Sequence, residues 1–267
     1  MEIGLAIVLA LHALLYFGQE RMIFFRQPLI PEVQAAVRKA VPDAEALSLA
    51  TADGERLQGW FVKNGAGSAA QTLLYFGGNA EEVTGFALDA PELPGVSLAL
   101  FNYRGYGGSS GDPGERALFA DALAIYDYIA SRPGVDPKRI VAMGRSLGAG
   151  VATYLASQRP VAAVVLVSPY DSFAALARTH YPFVLTGPLL KHPFDAASRA
   201  RSIDTPMLAL IAAEDSVIPP RHAEALVKAW RGPVTSKLIP GADHNDIHAH
   251  PDYWPSIRRF LNSGSGH

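Results

Sequence analysis

The sequence predicts an α/β domain: a mostly parallel sheet with helices on both faces, preceded by an apolar N-terminal helix. Three observations lead there. Apolar, β-rich runs alternate with longer stretches of helical spacing through most of the chain. Those runs are too apolar for a sheet with one wet face, and they suit strands covered on both sides. One of them, 139–143, leads into a glycine-flanked serine and then a strong helical pattern, which reads as a strand–turn–helix unit.

Composition narrows the function classes. Of 267 residues, 49% are hydrophobic and 18% are charged, so a full core can be buried. Lys plus Arg number 23 against 25 Asp plus Glu, a net charge of −2, and no long basic run occurs. This balance does not favour binding driven by phosphate neutralisation, and no nucleic-acid partner is expected. The absence of cysteine removes disulfides, Cys-ligated zinc, iron–sulfur clusters and a thiol nucleophile. A nucleophilic enzyme with this sequence must attack with Ser, Thr, Asp, Glu or Lys.

The first element is the apolar N-terminus. Of the first 25 residues, 18 belong to the hydrophobic set. Residues 3–18 carry no charge with His12 neutral, and as a helix they reach roughly 24 Å, short of the ~30 Å hydrocarbon core. A signal peptide wants a basic start and a small-residue cleavage site, whereas only Glu2 precedes the run and no such site stands before Gln19. On a helical wheel Glu2, His12, Tyr16, Gln19 and Glu20 share an arc of roughly 100°. A narrow polar stripe on a greasy helix fits a monotopic or obliquely inserted anchor, so residues 1–26 are expected to associate with a membrane lipid surface through 3–25. The competing reading packs this helix on the protein's own body or on another subunit. Arg21, Arg26, Arg38 and Lys39 follow the segment, which puts the main domain on the cytoplasmic side if the helix spans.

The main domain is expected over 27–262. A short helix begins near Pro31. Runs 46–51 and 57–63 read as a hairpin turned at Asp53-Gly54. Further strands are expected at 72–76, 97–102, 139–143, 162–167, 206–211 and 236–239. Helical patterns cover 81–88, 115–131, 147–158, 221–229 and 253–261. In 115–131, Leu118, Ala122, Ile125 and Ile129 recur at helical spacing. The connection 172–203 is too long for a plain loop and reads as a cap insertion. The Ser/Gly-rich tail 263–267 reads as flexible.

The chemistry centres on Gly144-Arg145-Ser146-Leu147-Gly148. Between a strand and a helix this is a nucleophile elbow, where small neighbours allow a strained serine and the Leu147 N–H faces an oxyanion. A serine needs a base, and the expected chain order is Ser, acid, His. Asp215 follows the run 206–211 and is the preferred acid, with Glu214 and Asp171 as competitors. His244, after the last strand, is the base. His248 and His250 are near it, but no H-E-x-x-H pattern or partner cluster supports a metal, and none is expected. Phe76-Gly77-Gly78-Asn79 is placed to supply the second oxyanion N–H, from Asn79 in preference to Gly78. The glycine-rich run 105–111 lacks the spacing of a dinucleotide or phosphate loop and reads as a tight loop beside the site.

With these parts in order, residues 45–262 resemble the α/β-hydrolase superfamily. Within it the chain is similar to membrane-tethered serine hydrolases related to acyl-protein thioesterases and prolyl-aminopeptidase-like enzymes. The resembling segments are Leu74–Glu81 by number 74–81, Asn102-Tyr103-Arg104-Gly105-Tyr106-Gly107, 144–148, 215–219 and 241–246. Gly77 departs from that branch, which usually has His there. The resemblance implies an α/β-hydrolase fold and an acyl-enzyme mechanism with Ser146, Asp215 and His244, with Leu147 and Asn79 holding the oxyanion and no cofactor. It implies an ester or thioester substrate, and the Phe, Tyr, Leu and Pro content of 172–203 suggests an apolar acyl chain. Two alternatives stay open: an aminopeptidase-like hydrolase using Asp195 for a free amino terminus, and a non-catalytic interaction module.

Overall fold

The apolar runs assemble into one eight-stranded sheet: β1 (Glu45–Ala50), β2 (Arg56–Val62), β3 (Gln71–Phe76), β4 (Val96–Phe101), β5 (Ile140–Arg145), β6 (Ala163–Val167), β7 (Met207–Ala212) and β8 (Val234–Ile239). The computed structural model describes residues 2–64, 70–182 and 189–263, with side chains from His12 onward. The strand order is β1-β2-β4-β3-β5-β6-β7-β8. β1, β2 and β4 pair antiparallel, and every other pairing is parallel. The expected hairpin forms at Asp53-Gly54, where Gly54 takes φ +89°.

Alternation along the central strands splits the core in two. Leu74, Phe76, Ala99, Phe101 and Ala142 belong to one cluster, and Leu73, Tyr75, Leu98, Leu100 and Val141 to the other. Successive side chains point to opposite faces, so these are the two sides of the sheet. Helices α3 (Glu115–Ala130), α4 (Leu147–Gln158) and α7 (Pro220–Ala229) cover the first side. The second is covered by α2 (Pro31–Ala40), the 3-10 segment Val83–Glu92 and α8 (Tyr253–Ser263). The expected helix at 81–88 is therefore a later 3-10 helix. Pro91 inside it offers no N–H to an α-helical ladder.

The order β4-β3-β5 has a consequence for the site. The chain leaves β3 toward β4 on one side and resumes at β5 on the other. Such a switch point opens a crevice beyond the carboxyl ends of the strands, and the loops after β3 and β5 meet there. The insertion between β6 and β7 carries α5 (Phe173–His180) and α6 (Ala196–Ala200), with 183–188 outside the described residues. Of the expected flexible tail, 264–267 also lies outside them.

Helix α1 covers Glu2–Ile23. Among the described residues no helix is long and apolar enough to cross a membrane. The C-terminal half of α1 docks on the domain. Gln19 is buried, donates from Nε2 to the Leu189 carbonyl at 3.0 Å and accepts from Lys191 N–H at 2.8 Å. Phe24, just past the helix, is buried edge-on against His192 and Phe194. Pro28 then bridges to Gly107.

Candidate active site

Ser146 lies between β5 and α4 with φ +52° and ψ −119°. A side chain in that region is strained, and packing must hold it. Two glycines make the packing possible. A Cβ on Gly144 would sit 2.1 Å from the Gly148 carbonyl oxygen, and one on Gly148 would sit 2.0 Å from the Phe76 carbonyl oxygen. The first turn of α4 thus presses against the end of β3, and only glycine admits that approach. Ser146 N–H donates to the Val167 carbonyl at 2.9 Å, which ties the elbow to β6.

The structure brings Ser146, Asp215 and His244 together. His244 Nε2 is 3.0 Å from Ser146 Oγ, and its Nδ1 is 2.8 Å from Asp215 Oδ2. All three are buried, with Ser146 at 8% exposure. With Nδ1–H donating to the carboxylate, Nε2 is left to accept the serine hydroxyl. The other Asp215 oxygen accepts the N–H groups of Val217 and Ile218 at 3.0 and 2.6 Å. That fixes the carboxylate on the loop after β7. Of the competing acids, Glu214 makes no contact with His244 in the hydrogen-bond network, and Asp171 pairs with His222 Nδ1 at 2.8 Å.

Asn79 and Leu147 line the same cavity as Ser146. Leu147 opens α4, so its N–H has no intrahelical partner. The Gly78 N–H, the other candidate from this loop, is engaged by Glu81 Oε2 at 2.8 Å. The Asn79 carbonyl is held from two sides, by Tyr106 Oη at 2.7 Å and Phe25 N–H at 3.1 Å. The 105–111 loop therefore stands beside the site through Tyr106.

Several residues at the site were not anticipated. Glu81 accepts from Tyr75 Oη at 2.7 Å as well as from Gly78, and pairs with Arg145 at 3.2 Å. Burial pushes the Tyr75 hydroxyl well above its usual pKa, so it stays a donor. Tyr103 Oη donates to the Gly77 carbonyl at 2.9 Å. The loop that carries Gly77 in place of His is thus held by Glu81 and Tyr103. Asp243 accepts from Ser216 N–H and His244 N–H at 2.9 and 2.6 Å, and those two bonds hold its carboxyl below the usual range. It joins the acid loop to the base loop. Among the described residues no group of three or more His, Asp and Glu could hold a metal ion. His250 Nδ1 accepts from Asp252 N–H at 3.1 Å.

A cavity of about 410 Å³ opens on Ser146. Its walls come from α1, α5 and the segments around Leu189 and Ile218.

Sequence comparison agrees with this fold. A family model for the α/β-hydrolase fold matches residues 76–190. An uncharacterized protein of Mycobacterium tuberculosis is 38% identical over 251 residues, covering 91% of this chain and 87% of its own length. The chain belongs to the α/β-hydrolase superfamily. A Saccharomyces cerevisiae protein named as an uncharacterized membrane protein is 30% identical, over 93% of this chain and 90% of its own. The solved structure of a Pyrococcus furiosus esterase superposes with a TM-score of 0.68 at 20% identity, over 86% of this chain and 94% of that one, and that likeness is one of fold.

Proposed function

We propose that the protein is a membrane-associated serine hydrolase that cleaves carboxylic esters or thioesters. The observation that carries this is the unbroken relay Asp215–His244–Ser146, at 2.8 and 3.0 Å, opening into an apolar cavity. Ser146 Oγ attacks the acyl carbonyl as His244 Nε2 takes its proton. Asp215 orients the imidazole and stabilises the cation that forms. The N–H groups of Leu147 and Asn79 receive the oxyanion. The tetrahedral intermediate expels the alcohol or thiol, which takes the proton from His244. Water, deprotonated by His244, then releases the acid and restores the serine.

The test uses a fluorophosphonate probe and p-nitrophenyl esters. The wild type should label and turn over, and Ser146→Ala and His244→Ala should do neither. Labelling that persists in Ser146→Ala overturns the assignment of the nucleophile. Absence of label and turnover in folded wild type favours a non-catalytic module.

The aminopeptidase reading asks Asp195 to meet a free amino group. Asp195 instead caps α6, accepting from Ser198 N–H at 3.0 Å, and is not in the cavity wall. Membrane association is supported by the outer face of α1, where Leu14 is 71% and Phe17 77% exposed. The name of the yeast relative points the same way.

A further inference from the structure

Helix α1 has two faces of different character. His12, Leu15, Tyr16, Gln19, Met22 and Ile23 line the cavity that opens on Ser146. Their spacing is helical, and at 100° per residue they fall within an arc of roughly 120°. Leu14 and Phe17, both strongly exposed, lie on the opposite side. Three members of the sequence's polar stripe, His12, Tyr16 and Gln19, thus face the cavity.

The polar groups of that inner face are largely engaged by protein. Gln19 uses its amide to clamp the segment 189–191, and also donates to the Tyr16 carbonyl at 2.9 Å. Lys191 Nζ lies 4.7 Å from the Tyr16 ring centre and 3.3 Å from Glu20. Across the cavity, His180 is tied to the Val217 carbonyl at 2.9 Å. What remains toward the cavity is mainly hydrocarbon: Leu15, Ile23, Phe173, Leu176 and Ile218.

The orientation of the cleft follows from one bond. Phe25 N–H, two residues past α1, donates to the Asn79 carbonyl at 3.1 Å. The Ile23 end of α1 is therefore at the catalytic serine, and His12 is at the far end. Eleven residues of helix separate them, a rise of about 16 Å. At roughly 1.2 Å advance per bond of an extended chain, that length accommodates about a dozen carbons. The cavity volume lies within the ~300–1,000 Å³ range of small-molecule clefts.

We infer that α1 is a wall of the acyl-binding cleft and sets the acyl-chain length the enzyme accepts, the chain running from Ser146 along the inner face toward His12. This rests on the reading of Ser146 as the acyl-transfer nucleophile. The substrate class is an ester or thioester of a medium or long unbranched acyl chain. The helix that attaches the protein to lipid and the helix that measures the acyl chain are then one element, with its two jobs on opposite faces.

The experiment compares p-nitrophenyl butyrate with p-nitrophenyl laurate, using the full chain in detergent micelles. The readout is the laurate-to-butyrate ratio of kcat/KM. Leu15→Trp fills the far half of the cleft, and the ratio should fall at least tenfold. Leu14→Trp, its neighbour on the outer face, should leave the ratio at the wild-type value. Leu15→Ala lengthens the cleft and should raise the palmitate-to-laurate ratio; it keeps the test open if the tryptophan variant fails to fold. Leu176→Trp, on the α5 wall, should lower the laurate-to-butyrate ratio as Leu15→Trp does. If Leu176→Trp lowers the ratio while Leu15→Trp and Leu15→Ala change nothing, the chain does not run along α1 and the inference is overturned. Equal effects of Leu14→Trp and Leu15→Trp overturn it too. Fluorophosphonate labelling is recorded in parallel: failure of the wild type to label removes the serine-hydrolase reading itself, a result distinct from an unchanged ratio.

Discussion

Asp215 shows how much one side chain's surroundings decide. Its carboxylate is buried, yet one oxygen takes two backbone N–H groups and the other faces His244. Asparagine in its place keeps the shape and presents the wrong partner to Nδ1. Asp215→Asn should lower kcat by about 10⁴-fold, read as p-nitrophenyl ester turnover. A near-normal rate would move the acid elsewhere. Glu81 acts one step back, as a positioning residue. Its carboxylate links Gly78 to β3 through Tyr75 and to the elbow through Arg145. Glu81→Ala should lower kcat by about tenfold to a hundredfold, less than loss of a direct oxyanion donor. KM and the pH profile of kcat/KM should change little, which separates loop positioning from a change in His244. Ser146 was readable in the sequence because its signal is local: a strand, a strained turn between glycines, a helix. Asp215 and His244 were readable through chain order, and their competitors could be separated only by contact. Glu81 was not readable, because the near spacing to Tyr75 and Gly78 does not show that its carboxylate turns back onto both, and Arg145 lies 64 residues away.

At the scale of elements, α5 is held from behind. His222 on α7 is buried between Asp171, 2.8 Å from Nδ1, and Thr179 on α5, 2.9 Å from Nε2. Removing the imidazole leaves two polar groups without their partner. His222→Ala should cost about 2 kcal/mol of stability by urea denaturation. It should also raise proteolytic cutting near α5 in the native protein. The docking of α1 depends on a second histidine. His192 Nδ1 accepts from the first N–H of α3, at Glu115, and its ring packs on Phe24. Burial lowers its pKa from the ordinary 6.5, opposed by Glu20, 3.8 Å from Nε2, and reinforced by Lys191. The unfolded chain therefore takes up a proton below about pH 6.5 that the folded chain does not, and stability falls as pH drops through that region. Glu115, raised by burial, shifts stability the opposite way in acid, and Asp53, lowered to about 2, loses its contribution only below about pH 4. The comparison that isolates His192 is the change in Tm between pH 7.5 and 5.5 in wild type and His192→Asn, which keeps an acceptor at that position. The drop should be smaller in the variant. The strands themselves were legible, since a two-sided core demands unbroken apolar runs. The helix expected at 81–88 was misread because periodicity registers a buried face without distinguishing α from 3-10 geometry.

The whole molecule changes the meaning of its N-terminus. In the sequence, a narrow polar stripe on an apolar helix looks like the wet side of an anchor. In the structure His12, Tyr16 and Gln19 of that stripe line the cavity, and Leu14 and Phe17 look outward. Pattern alone could not separate the two, because both need a helix with one polar face. Deleting residues 1–25 is consequently a poor test of attachment: it removes buried Phe24, the Gln19 clamp and one wall of the cleft together with the outer face. The discriminating change touches only what faces away. Leu14 and Phe17 make no part of the cavity wall and are largely exposed. Each apolar side chain moved from water into lipid contributes about 2 kcal/mol. Leu14→Ser with Phe17→Ser should therefore weaken partitioning into lipid vesicles by at least a hundredfold, measured by flotation. Turnover of p-nitrophenyl butyrate in solution should stay near wild type, because the cleft and the relay are untouched. If the double variant still floats with vesicles like wild type, the outer face of α1 is not the surface that meets the lipid, and the membrane reading loses its structural support.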